Sequence, residues 1–122
     1  MAFRCVIVDD NDSFLKAARV LLEREGIHVA GVASTGAEAF RQVDALRPDV
    51  VLVDIFLGGE SGFEVARQLL DDGRDDATVI LISTHPRGDL EGLIAASPAS
   101  GFIPKAELSA NAIREIVDGR AA

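Results

Sequence analysis

Several short apolar runs in this 122-residue chain end on a residue able to do chemistry. FRCVIV at Phe3–Val8 runs into Asp9-Asp10, VVLV at Val50–Val53 into Asp54, and TVILI at Thr78–Ile82 into Ser83. Lys105 follows closely on a shorter run, Gly101–Ile103. If these runs are parallel strands of one sheet, three carboxylates share a pocket at its edge. Unpaired carboxylates a few ångströms apart repel by roughly 1 kcal/mol per pair in water, and by more in a drier site. Such a cluster calls for a cation, and oxygen ligands with room for water suit Mg²⁺. A lysine and a hydroxyl beside it complete what phosphoryl transfer needs: positive charge on the equatorial oxygens and one carboxylate in line to attack. Singly, each residue has a plainer role. Asp9 and Asp10 could cap a helix, Asp54 could sit in a turn, Ser83 could be a loop hydroxyl, and Lys105 a solvated charge. Their coincidence is what carries weight.

The elements that must position these residues are legible from periodicity. A helix after Asp10 takes Asn11 or Asp12 as its cap, with Phe14, Leu15, Ala18, Leu21 and Leu22 as its apolar stripe and Gly26 as its stop. His28–Ala33 is a second strand. Thr35 and Glu38 have capping-box spacing for a helix whose core face is Ala39, Phe40, Val43 and Leu46, ended by Pro48. After Asp54 a Gly58-Gly59 turn leads to a second box, Ser61 and Glu64, and a helix towards Leu69 and Leu70. A less regular helical stretch carries Leu90, Leu93 and Ile94 and breaks at Ser97-Pro98. The last helix starts near Ser109, buries Ala112, Ile113, Ile116 and Val117, and stops at Gly119. Continuous apolar strands alternating with helices imply a parallel sheet covered on both faces. Right-handed crossovers then put every strand's C-terminal end on one edge, where such sheets carry their sites.

Composition narrows the field. With 48% apolar residues the chain is long enough to bury its own core. A net charge of −8 argues against direct work on nucleic acid or an anionic membrane. Cys5 is the single cysteine, so an internal disulfide or cysteine metal site is excluded, and in an apolar run it reads as a small buried hydrophobe. No apolar run reaches membrane-spanning length and no signal-type segment opens the chain. A reducing, cytoplasmic setting is expected.

Over essentially its whole length the chain resembles a bacterial two-component response-regulator receiver domain. The matching pieces are VIVDDN, VLVDIFLGGESGFEVARQL, VILIS and GFIPKAEL, the last similar to receivers of the LuxR/NarL class. The resemblance implies an α/β, flavodoxin-like (βα)5 three-layer sandwich with five parallel strands in the order 2-1-3-4-5. It assigns Asp54 as phosphoacceptor, Asp10 as a direct Mg²⁺ ligand, Asp9 as an acid acting through metal-bound water, and the Phe56 carbonyl as backbone ligand. Ser83 matches the hydroxyl that swings onto the phosphoryl group and Lys105 the lysine that pairs with it. Phe102 matches the aromatic whose inward or outward rotamer reports the phosphorylated state. Phe56 and His85 match positions that influence dephosphorylation: a bulky Phe56 would hinder the hydrolytic water, whereas His85 either orients or blocks it. One departure is LGGESG, where the family usually has a proline after the leucine; Gly58 implies a looser turn there.

The function so implied is phosphorelay signalling. A sensor histidine kinase or phosphotransfer protein gives its phosphoryl group to Asp54, and the altered surface controls an output partner, with transcription regulation and a phosphorylation-dependent homodimer as options. The expectation is a phosphoacceptor and not an enzyme, one domain over residues 1–122 with no output domain among them. Two other readings compete. A receiver-like interaction module that is never phosphorylated would not need all five chemical positions. A Mg²⁺-dependent phosphatase would place a DxD arrangement after the first strand, whereas this chain has adjacent acids there and its nucleophile candidate on the third.

Overall fold

The computed structural model describes residues 3–71, 77–85 and 87–121. In chain order the elements are β1 (Arg4–Val8), α1 (Asp12–Arg24), β2 (His28–Ala33), α2 (Gly36–Leu46) and β3 (Val50–Asp54). A two-stranded hairpin, β4 (Phe56–Leu57) and β5 (Glu60–Ser61), leads into α3 (Gly62–Asp71). β6 (Thr78–Ser83), α4 (Arg87–Ala96), β7 (Gly101–Pro104), a 3₁₀ turn (Lys105–Glu107) and α5 (Ala110–Ala121) complete it. The main sheet has the order β2-β1-β3-β6-β7 with all pairings parallel. Counting only its strands, that is 2-1-3-4-5, the expected flavodoxin-like arrangement.

Period-two alternation divides the core in two. Val6, Val8, Val51, Val53, Val79 and Leu81 face one side, where they pack with residues of α2 and α3 such as Ala39, Val43, Val65 and Leu69. Cys5, Ile7, Val50, Leu52, Ile80 and Ile82 face the other, against Leu15, Ala18 and Leu22 of α1 and Ile113 of α5. All five residues of β3 are buried, which is why its sequence shows no polar alternation until Asp54. Burial of each such Val, Ile or Leu contributes roughly 1.5–3 kcal/mol, so the central strands are the rigid frame of the edge where they end.

The helix ends follow local chemistry. Asn11 caps α1, its side chain accepting from the Phe14 amide at 3.1 Å. Gly26 sits just beyond the end of α1 at φ +94, a conformation that favours glycine. Thr35 caps α2 by accepting from Glu38 N, but Glu38 bonds Ser34 and not the cap residue, so only half of the expected box forms. In α3, Glu64 turns to Arg67 one turn on, so the second expected box is replaced by an i,i+3 ion pair. Arg47, at φ 48, ends α2 ahead of Pro48.

The turn after Asp54 is a short hairpin: Phe56 pairs with Ser61 and Leu57 with Glu60 across Gly58-Gly59, and Gly58 takes φ +59. In α4 Leu90 is buried and Ile94 packs half-buried against the same cluster, while Leu93 is 58% exposed. Helix α5 continues through Gly119 to Ala121 and buries Ala110 and Ile113, with Ala112, Ile116 and Val117 half-buried.

Candidate functional site

The C-terminal ends of β1, β3 and β6 deliver Asp9, Asp54 and Ser83 to one edge, and the turn after β7 delivers Lys105. Asp9 and Ser83 are fully buried, Asp54 is nearly so, and Asp10 is exposed. One carboxylate oxygen from each of Asp9, Asp10 and Asp54 lies within 4.8 Å of the others. The pocket is therefore a set of hard oxygen donors open to solvent on the Asp10 side.

Lys105 is the only cation in contact with these carboxylates among the described residues. Its Nζ lies 2.6 Å from Asp9 Oδ2 and 3.1 Å from Asp54 Oδ2. It donates a hydrogen bond to Asp54, whereas Asp9 Oδ2 has the ionic contact without an aligned hydrogen-bond donor. The remaining oxygens are fixed locally. Asp9 Oδ1 accepts from Asn11 N at 2.9 Å, and Asp54 Oδ1 accepts from Phe56 N at 3.1 Å. Each acid thus folds its own downstream backbone into an Asx-type turn.

Charge in the pocket is uneven. Burial, and then the neighbouring Asp9, raise the Asp54 carboxyl above its ordinary value, against the opposing Phe56 amide and Lys105. Burial alone would lower Lys105, but Asp9 and Asp54 outweigh it and hold the ammonium above its usual range. Three acids face one lysine, leaving net negative charge in the pocket. Those features fit a hard divalent cation such as Mg²⁺, which takes carboxylate and carbonyl oxygens together with water.

Ser83 Oγ accepts from the His85 amide at 3.0 Å and lies 3.4 Å from His85 Nδ1. The His85 ring is 5.0 Å from that of Phe56 at an angle of 51°, and Phe56 itself is 51% exposed. These two rings stand together beside the hydroxyl. Phe102 is already interior, at 2% exposure, within the cluster that contains Leu81 and Leu90.

Three contributors were not singled out in the sequence. Phe14, read as part of a core stripe, lies beneath the Lys105 ammonium, 4.3 Å from ring centroid to Nζ. Such a contact contributes about 0.5–2 kcal/mol and helps aim the lysine. Gly62 brings the start of α3 against β3: a Cβ there would lie 1.9 Å from the Asp54 carbonyl oxygen. Its amide bonds the Ile55 carbonyl at 2.7 Å, closing the hairpin that begins behind Asp54. Glu60 reaches from that hairpin to the first amide of α2. A glycine opening a helix directly after a hairpin was the available signal for Gly62; nothing local marks Glu60 or Phe14.

Known proteins with the same features are many. The family model for the response regulator receiver domain matches residues 5–118. The response regulator GacA of Pseudomonas viridiflava is 30% identical over 103 residues, covering 84% of this chain and 48% of that protein. The transcriptional regulatory protein DesR of Bacillus subtilis is 34% identical over 119 residues, covering 93% of this chain and 58% of that protein. The chain thus spans about half the length of these relatives. The solved signal receiver domain of the putative response regulator NarL from Mycobacterium tuberculosis superposes with a TM-score of 0.84 at 28% identity, covering 98% of each chain. The parallel order, the acids at the strand ends and these matches agree: the chain belongs to the response regulator receiver domain family of two-component systems.

Proposed function

We propose that Asp54 accepts a phosphoryl group from the phosphohistidine of a sensor kinase or phosphotransfer protein, in the cytoplasm, with Mg²⁺ bound beside it. The observation that carries this reading is the Lys105 ammonium bridging Asp9 and Asp54 at the rim of the three-acid cluster. One Asp54 oxygen bonds to phosphorus as the phosphorus–nitrogen bond of the donor breaks, and its electron pair leaves with the imidazole nitrogen. Lys105 turns from Asp54 to the incoming oxygens, which are stronger acceptors. Asp9, Asp10, Asp54 and the Phe56 carbonyl would hold Mg²⁺, which when bound supplies divalent charge against the phosphoryl oxygens.

The acyl phosphate adds charge and acceptor oxygens at one point. Ser83, whose Oγ accepts from the His85 amide, rotates to donate its hydroxyl proton to one of them and in doing so draws on the β6–α4 connection. With Phe102 already interior, the hydroxyl and the segment after it form the element biased by phosphorylation. Phe56 and His85 stand where they bear on water access to the acyl phosphate. The reading extends to an output partner or a DNA-binding segment outside these residues, with homodimerisation on phosphorylation as one consequence. It assigns the chain no turnover of its own beyond transfer and self-dephosphorylation.

Binding of metal to the folded acids alone gives the test. Mg²⁺ at a hundred times its dissociation constant is expected to stabilise the fold by about 2.7 kcal/mol, seen as a rise in Tm. Asp10→Ala, at an exposed position, is expected to fold normally and lose that rise. A Mg²⁺ shift that survives the substitution would remove Asp10 from the site.

A further inference from the structure

The hairpin after Asp54 carries the Phe56 carbonyl and the glycine turn over Asp10, yet its strands are two residues each. A hairpin this short has too few cross-strand bonds to hold itself in water. Something outside it must fix its position. At its base Gly62 N bonds Ile55 O. Near its tip the carboxylate of Glu60 leaves the hairpin altogether and accepts from Gly36 N at 2.9 Å, 24 residues away. Gly36 is the first residue of α2, where the leading amides have no partner within the helix and the helix dipole favours negative charge. The fit is close: a Cβ on Gly36 would lie 2.7 Å from Glu60 Oε2 and 3.1 Å from Val65 Cγ2.

We propose that Glu60 is a positioning residue, which ties the hairpin to α2 and so holds the Phe56 carbonyl and the Asp54–Phe56 turn in place at the acid pocket. This inference deepens the metal-dependent reading of that pocket. The stiffness that two-residue strands lack is supplied from outside by a carboxylate on a helix end. The tether also joins two elements that approach the pocket from different sides, since β2 ends and α2 begins beside β1, and the hairpin follows β3.

The test uses amide hydrogen exchange without metal and Mg²⁺ titration, on the wild-type chain, Glu60→Ala, Glu60→Gln and Gly36→Ala. Glu60→Gln keeps an acceptor oxygen; Glu60→Ala removes it; Gly36→Ala displaces it from the other side while leaving Glu60 intact. The expected result is faster exchange at Phe56, Leu57 and Gly62 in Glu60→Ala and Gly36→Ala, with the β1 and β3 amides unchanged. Mg²⁺ affinity is expected to fall about three- to tenfold in the same two variants, the equivalent of one lost hydrogen bond, and to be largely restored in Glu60→Gln. Exchange in Glu60→Ala identical to wild type would overturn the tether, as would a Glu60→Gln variant as defective as Glu60→Ala. Should the wild type bind no Mg²⁺, the metal reading would fall, while the exchange comparison would still decide the role of Glu60.

Discussion

Gly62→Ala is expected to lower stability by about 3 kcal/mol and to disable the pocket in the same step, because overpacking against backbone leaves no side chain free to yield. The added methyl would lie 1.9 Å from Asp54 O, 2.7 Å from Asp54 C and 2.7 Å from Ile55 Cα. Each of these atoms belongs to the backbone that delivers Asp54. Relief requires α3 to back away from β3, which breaks the Gly62 N to Ile55 O bond and moves the hairpin. For a chain of this size the stability loss corresponds to roughly 10 °C in Tm. Thermal melts check the first part and Mg²⁺ titration the second. A Gly62→Ala protein with wild-type Tm would show that the approach of α3 to β3 is more yielding than its distances imply.

Lys105→Ala and Asp54→Asn are expected to move stability in opposite directions. Removing Lys105 takes the ammonium from both Asp9 and Asp54 and leaves buried negative charge without its partner, a change that costs about 3–5 kcal/mol in buried pairs. Asp54→Asn removes one of the repelling charges while keeping an oxygen for the Phe56 amide. Burial and Asp9 raise the folded-state carboxyl of Asp54, so the native chain binds its proton more readily than the unfolded chain does. Stability linked to this group is therefore fully present below the ordinary Asp range and is lost as pH rises through the raised folded value. Asp54→Asn is accordingly expected to melt above wild type at neutral pH, with the difference vanishing as pH falls below that range. Lys105→Ala is expected to melt below wild type at neutral pH and to recover in part in acid, where Asp54, with its raised carboxyl, takes up a proton. Melting curves from pH 3 to 8 check both; an Asp54→Asn protein less stable than wild type at neutral pH would mean that Asp54 is a net stabilising charge.

Much of this site was legible in the sequence because the central strands are buried on both faces. A strand such as VVLVD shows no alternation, and its first polar residue marks where the sheet ends. Applied to three strands, that rule brought Asp9, Asp54 and Ser83 to one edge. Helix faces followed from period, and the shared edge from crossover handedness, whereas the strand order came from the family resemblance. What stayed hidden depends on contacts between distant segments. Glu60 is an ordinary hairpin acid until α2 presents its amide, and Phe14 is one apolar residue among several until Lys105 lies over it. The capping boxes differ for a local reason: Thr35 still caps α2, but the Glu38 and Glu64 side chains take Ser34 and Arg67, equally near in sequence, as partners. Gly58 marks a permissive turn from sequence alone, whereas the bond from Glu60 to α2 is tertiary and could not be read there.

The most direct measurement is intact-mass analysis after incubation with a small acyl phosphate and Mg²⁺, on wild type and Asp54→Ala. Asp54 is expected to gain one phosphoryl group in a metal-dependent reaction, and Asp54→Ala is expected to gain none. A wild-type chain that stays unmodified, or a mass gain that persists in Asp54→Ala, would contradict the assignment of Asp54 as the phosphoacceptor.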